Sequence, residues 1–267
     1  MSREIHVVVT GAAGKMGREV VKAVLKESDL VLVGAIDSKE NGVDVGALVG
    51  INACGVVVSS DLQKVLENTD ADVLVDFTNP EAAVSNGITA LNYGVIPIIG
   101  TTGIDDVEID ELRKAASKTG LGVLIAPNFA LGAVLMMDFA RRAARHFKHV
   151  EIIEMHHDQK IDAPSGTSLK TAQMIQEERL PVRQGHPDEY EKIKGVRGGE
   201  LEGIRIHSVR LPGFVAHQEV IFGGLGQVLT IRHDSLSRES FMPGVVYAIR
   251  KARTLQGVVV GLEKILD

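Results

Sequence analysis

Chemistry is concentrated in one short stretch, Glu154 to Ser168, which reads EMHHDQKIDAPSGTS. His156 and His157 are adjacent, and a histidine exchanges a proton near neutral pH. Lys160 adds a full positive charge. Ser165 or Thr167 is a natural N-cap for the helical pattern SLKTAQMIQEE that begins at Ser168. A helix start built from Ser165, Gly166 and Thr167 turns its unpaired N–H groups towards a carboxylate or a phosphate. Proton donor and anion cradle together suit the reduction of a C=N or C=C bond in an acidic substrate, because hydride addition leaves negative charge that must be protonated. A solvated polar loop would use the same residue types. Period-two alternation would also turn His156 and His157 to opposite faces if one strand ran through both. The rest of the chain decides between the two readings.

A second chemical element lies at the opposite end of the chain. The sequence IHVVVTGAAGKMG runs a short β-branched stretch directly into glycines at 11, 14 and 17. Gly11 suits the tight turn, Gly14 the close approach of a pyrophosphate, and Gly17 close packing of the helix that follows. Gly11, Ala12, Ala13, Gly14, Lys15 and Met16 are therefore expected around the phosphates of a dinucleotide. Asp37 ends the next apolar run, 20 residues past Gly17, where an acid should take up an adenosine ribose hydroxyl. No spacing of metal ligands stands out, and no metal is expected.

These residues need a scaffold, and the periodicity supplies one. Apolar runs at 5–10, 30–37, 72–78, 95–101 and 122–128 read as buried strands, with helical stretches between them, such as 80–93 and 106–119. Strands alternating with helices predict a parallel sheet covered on both faces, a Rossmann-type α/β domain. DFTNPE (76–81), IGTTG (99–103) and APNFA (126–130) then stand at the carboxyl ends of strands, where such sheets bind ligands. Gly100, Thr101, Thr102, Ala126, Pro127, Asn128 and Phe129 join the cofactor cleft on that argument. After Asn128 the pattern changes. A helix over 130–147, the strand EIIEM, and three consecutive strands within 204–233, turning at Pro212-Gly213 and Gly223-Gly224, predict an α+β domain with a mostly antiparallel open sheet. The expected division is a dinucleotide-binding domain over 1–128, a substrate-binding and oligomerisation domain over 129–238, and a segment at 239–267 that returns to the first domain.

Composition narrows the function. A net charge of −6 gives no general attraction to nucleic acid. No run approaches the roughly 20 apolar residues of a membrane helix, and the apolar run at the N-terminus is too short for a signal-peptide core. A single cysteine, Cys54, forms no intrachain disulfide and suits a reducing cytoplasm.

Taken in order, VTGAAGKMGREV, DFTNPE, IGTTG, APNFALG and above all EIIEMHHDQKIDAPSGTSL resemble the 4-hydroxy-tetrahydrodipicolinate reductase (dihydrodipicolinate reductase) family across essentially the whole chain. The resemblance implies a cytoplasmic two-domain reductase of lysine and diaminopimelate biosynthesis, usually a homotetramer joined through the sheets of the second domains. It implies that Gly11 to Met16 hold the pyrophosphate and Asp37 the ribose, with Gly100 to Thr102 and Ala126 to Phe129 on the nicotinamide side. It makes His156 the proton donor and Lys160 the second catalytic residue. His157, Lys160, Gly166 and Thr167 become the binders of a cyclic dicarboxylate.

The expectation is an NAD(P)H-dependent reductase of a small cyclic dicarboxylate. Two rivals stay open: another Rossmann-type dehydrogenase of a small acid, sugar or semialdehyde, and a non-catalytic NAD(H) sensor. Asp37 favours NADH, while Lys15, Arg18 and Lys39 offer cations to the extra phosphate of NADPH, so use of both nucleotides is expected.

Overall fold

A computed structural model describes residues 3–266 and divides the chain into two compact units. One runs up to Phe129 and resumes at Phe241; the other is Ala130–Ser240.

The first unit is built on seven parallel strands: β1 (Ile5–Thr10), β2 (Leu30–Ile36), β3 (Val58–Ser59), β4 (Val73–Asp76), β5 (Ile96–Ile99), β6 (Val123–Ile125) and β12 (Val258–Val260). They lie in the order β12-β6-β5-β4-β1-β2-β3. Val7, Val8 and Val9 are consecutive and all fully buried. Successive strand residues point to opposite faces, so both faces of the sheet are covered. Strand order reverses between β1 and β4, and the carboxyl ends at such a switch point are where open α/β sheets bind ligands.

Local chemistry sets the helix ends. In α4 (Pro80–Asn92), the Asn79 side chain accepts from Ala82 N–H at 3.0 Å and Pro80 opens the helix. In α5 (Asp106–Thr119), Asp105 and Glu108 form a reciprocal capping box, and Gly120 closes the helix with φ +73°. Helix α1 (Lys15–Lys26) follows the glycine turn. Two short helices, α2 (Val45–Leu48) and α3 (Leu62–Glu67), and the two-residue β3 were absent from the sequence reading. Helix α8 (Met242–Lys251) belongs to this unit. Its Arg250 grips Asp29 with two hydrogen bonds of 2.8 and 2.7 Å.

The second unit holds a five-stranded sheet in the order β11-β10-β7-β9-β8. Its strands are β7 (His149–His156), β8 (Gly199–Leu201), β9 (Ile204–Arg210), β10 (Ala216–Gly224) and β11 (Gln227–Ser235). Helices α6 (Leu131–Ala144) and α7 (Gly166–Gln176) complete it. Val150, Ile152 and Glu154 of β7 are buried and alternate with half-buried Glu151, Ile153 and Met155. One face of the sheet is therefore covered much more fully than the other.

The run over 204–233 departs from its expected arrangement. Strands β9 and β10 are not neighbours, because β7 lies between them, antiparallel to β10 and parallel to β9. Pro212-Gly213 lies in a connection across the end of β7, where Leu211 N–H donates to His156 O at 3.1 Å. A Pro-Gly pair marks a change of direction but carries no information about which strands pair. The second turn also shifts. Pairing continues through Gly224 and Gln227, so the link is Leu225-Gly226, with Gly226 at φ +70°.

Candidate active site

The glycine turn sits at the switch point. Gly11 has φ +75°, and a Cβ there would stand 2.4 Å from Phe77 O. A Cβ on Gly17 would meet Gly11 O at 2.0 Å, so Gly17 seats α1 against the turn itself. Gly14 is the N-cap of α1 and no side chain caps it, which leaves the first turn of the helix open to an anion. Ala12 is fully buried, while Gly14 and Lys15 are exposed. This backbone fits a dinucleotide: side chains at these glycines would fill the space that keeps turn and helix so close.

Asp37 follows β2 and is partly exposed. Its Oδ2 accepts from Ala13 N–H and its Oδ1 from Lys39 N–H, both at 2.9 Å. The acid expected at the ribose thus also fixes the glycine turn. Arg18 differs from the sequence reading. Its Nε donates to Ala13 O at 2.8 Å and its guanidinium to Leu48 O at 3.2 Å, so it is committed to the fold. Lys15 and Lys39 remain exposed.

Beneath the turn lies Asp76, a fully buried carboxylate that sequence reasoning did not single out. Oδ2 accepts from the Thr10 hydroxyl at 2.5 Å and the Asn86 amide at 2.9 Å. Oδ1 accepts from the Thr78 N–H at 3.0 Å, the Thr78 hydroxyl at 2.8 Å and the Thr101 hydroxyl at 2.9 Å. These donors satisfy both buried carboxyl oxygens. They also tie the ends of β1, β4 and β5 into one rim. Thr101 is therefore buried in the frame, while Thr102 is exposed. Gly100 leaves room for Phe77, whose ring a Cβ would approach to 2.2 Å. Ala126 and Phe129 are buried, with Phe129 against Phe77 at 5.8 Å between ring centres, whereas Pro127 is exposed and Asn128 half-buried.

In the second unit, His156 is the last residue of β7 and His157 stands exposed beyond it. Nδ1 of His156 contacts Glu154 Oε2 on the same face of the strand, two residues back. Glu154 has no exposed surface. Burial pushes its carboxyl up, but hydrogen bonds from His156, Arg210 and Ser208 outweigh burial and hold it at about 2. It is a carboxylate at any physiological pH.

Lys160 Nζ donates to Asp162 Oδ1 at 2.6 Å, an interaction that holds the Asp162 carboxyl below its ordinary value. Any other carboxylate that bound this ammonium would have to compete with Asp162. The N-cap of α7 is Ser165. Its buried hydroxyl accepts from Ser168 N–H at 3.2 Å and shares a hydrogen bond with the Ser168 hydroxyl, which donates to Gln218. Its side chain is occupied as a cap, and beside it at the helix start Gly166 is exposed and Thr167 half-buried. Glu154 was visible only as an acid two positions before His156; Asp76 only as an acid closing an apolar run. Among the described residues, no group of three or more His, Cys, Asp or Glu is placed to hold a metal ion.

Two family models cover this chain: dihydrodipicolinate reductase, N-terminus, over residues 5–129, and dihydrodipicolinate reductase, C-terminus, over 132–266. The 4-hydroxy-tetrahydrodipicolinate reductase of Desulfitobacterium hafniense is 57% identical over 266 residues, 99% of this chain and all of that one. That of Moorella thermoacetica is 53% identical over 267 residues, the whole of both chains. The dipicolinate-bound dihydrodipicolinate reductase structure from Paenisporosarcina sp. TG-14 superposes with a TM-score of 0.90 at 46% identity, covering 98% of this chain and 100% of that one. An amine dehydrogenase from Mycobacterium smegmatis, at 18% identity and TM-score 0.71 over 100% of this chain and 97% of its own, shares the fold.

Proposed function

Because the chain belongs to the dihydrodipicolinate reductase family, we propose that it reduces 4-hydroxy-tetrahydrodipicolinate to tetrahydrodipicolinate in the lysine and diaminopimelate route. It is an oxidoreductase. The observation that carries the substrate reading is His156 on an ionised, buried Glu154, followed within one segment by Lys160 and the Ser165-capped start of α7.

Gly11 to Met16 and Asp37 would hold the nucleotide, with Gly100 to Thr102 and Ala126 to Phe129 towards its nicotinamide end. A bound reduced nicotinamide supplies hydride. The chain's own residues do the rest. His156 delivers a proton from Nε2 to the substrate atom that takes up charge. Lys160 and the N–H groups of Gly166 and Thr167 neutralise a carboxylate, and His157 binds the same acid from beyond the strand end. The dipicolinate named for the Paenisporosarcina sp. TG-14 structure has two carboxylates on a six-membered ring, the substrate class this cradle suits. A dehydrogenase of neutral polyols or semialdehydes would not need such a cradle. Side-by-side turnover separates the readings: nucleotide oxidation is expected with the cyclic dicarboxylate and not with a polyol or a semialdehyde. The reverse preference would overturn the proposal.

Both nucleotides serve. Asp37 favours the free ribose hydroxyls of NADH, and a 2′-phosphate would add charge beside it. With Arg18 committed to carbonyls, Lys15 and Lys39 are the cations that offset this repulsion. The values of kcat/KM for NADH and NADPH should lie within about tenfold, or ~1.4 kcal/mol. Asp37→Ala should shift the balance towards NADPH and Lys39→Ala towards NADH. Added salt should weaken NADPH more, because exposed cations are screened. Steady-state kinetics with both nucleotides at two ionic strengths checks this, and a hundredfold preference would contradict it.

The less covered face of the second sheet, including Ile153, Met155 and the exposed Val228, supports assembly as a homotetramer through these sheets. Light scattering should give four times the 28.7 kDa chain mass; one chain mass would refute it. Among the described residues, no helix is long and apolar enough to cross a membrane. With the single cysteine, this supports a cytoplasmic enzyme, which cell fractionation would test by finding it with cytosolic rather than membrane proteins.

A further inference from the structure

His156 is one corner of a charged cluster that also holds Glu154 and Arg210. Glu154 Oε1 accepts from Arg210 at 2.7 Å, and Oε2 accepts from Arg210 at 2.9 Å while contacting His156 Nδ1. The same guanidinium donates to Asp162 O at 2.8 Å, inside the segment that carries Lys160. Arg210 thus ties β9, β7 and the approach to α7 together at one carboxylate. The arrangement has a cost: Arg210 Nε is buried with no hydrogen-bond partner. Buried ion pairs are often no more stabilising than apolar residues of similar volume, so stability alone gives weak reason for this one.

The charged and titratable groups nearby are Arg210, the Lys160–Asp162 pair on the segment before α7, and His233 of β11, which pairs with Gln218. From β9 come Arg210 and Ser208; from β10, Gln218, opposite Glu154 in the ladder. Gln218 accepts from Ser168 and donates to Thr171, both on α7. The Asp162 carboxylate is turned to Lys160. Glu154 is therefore the acid that faces the His156 ring.

The geometry points to Glu154 as the positioning residue for the proton donor: it keeps a proton on Nδ1 of His156 so that Nε2 is the nitrogen that serves the substrate, while Arg210 locks the Lys160 segment to the same carboxylate. This rests on the reading of His156 as the acid. During the reaction the imidazolium gives its Nε2 proton to the substrate and becomes the neutral Nδ1–H tautomer. Glu154 stays ionised throughout, and Nε2 regains a proton from solvent before the next turnover. The carboxylate stabilises the imidazolium electrostatically and fixes its tautomer, as an acid behind a catalytic imidazole does elsewhere.

Glu154→Gln keeps the size and removes the charge. Loss of an opposite charge beside the imidazolium should move the alkaline limb of the kcat/KM profile about one to two pH units lower. Rates on that limb should then fall by roughly 10- to 100-fold, with nucleotide affinity unchanged. On a His156→Ala background the same substitution should cost much less than in the parent, because Glu154 acts chiefly through the ring and only the Arg210 link to the Lys160 segment is left to lose. An unmoved limb, or a full additional loss on that background, would overturn the proposal. A mild effect of His156→Ala alone would instead overturn the proton-donor reading on which it rests. Should Glu154→Gln leave Arg210 too poorly paired for the protein to fold, Glu154→Gln/Arg210→Gln removes both buried charges and goes through the same profile. A smaller shift of the limb in the same direction is expected, and none would refute the role.

Discussion

Replacing His156 with alanine should lower kcat by about 10²–10⁴, the usual worth of a positioned general acid. The residues assigned to the nucleotide lie in the other compact unit, so nucleotide affinity should stay nearly intact. His157→Ala should behave differently. His157 lies beyond the end of β7 and is exposed, whereas His156 closes the strand with its ring on Glu154. A residue that only binds the acid changes KM more than kcat. Steady-state kinetics of the two variants checks the assignment, and equal, mild effects would defeat it.

The second large effect concerns the carboxylate cradle. Thr167→Val removes one hydroxyl while keeping the shape of the first turn of α7. A hydrogen bond to a charged group is worth about 1.5–3 kcal/mol, so dicarboxylate binding should weaken roughly 10- to 150-fold. Lys160→Met should weaken it as well, and should also slow turnover. The same loss would leave Asp162 without its ammonium, so local reordering of the segment is part of the effect to be measured. Calorimetric titration with pyridine-2,6-dicarboxylate reads binding without turnover. Parent-like affinity in both variants would remove the cradle from the mechanism.

The parts of this protein that were readable in its sequence are those fixed by local chemistry. The run IHVVVT followed by spaced glycines is a strand and a tight turn on conformational grounds alone, and Gly11 occupies the left-handed region such a turn requires. A helix cap at Ser165 or Thr167 was readable because capping is a contact between near neighbours, and the structure uses Ser165. Long-range pairing was not readable. Nothing in PGF or its flanks says that β7 separates β9 from β10. The same limit hid the frame of the site. Glu154 depends on Arg210, 56 positions further along, and Asp76 on Thr10, 66 positions earlier. An acid in an apolar strand looks like an exposed position until its distant donors are known. For Arg18 the sequence offered only a cation beside the glycine turn; its hydrogen bonds to the carbonyls of Ala13 and Leu48 were not legible there.

The central claim is transfer of hydride to a cyclic dicarboxylate, and the most direct measurement follows the hydride. Purified protein is mixed with the condensation product of aspartate semialdehyde and pyruvate and with nucleotide deuterated at the reactive nicotinamide carbon. Reduced-nicotinamide absorbance should fall in proportion to protein added, and mass spectrometry should find one deuterium in the tetrahydrodipicolinate formed. Absorbance no different from a protein-free control, or loss of absorbance with no deuterium in the acid, would contradict the account.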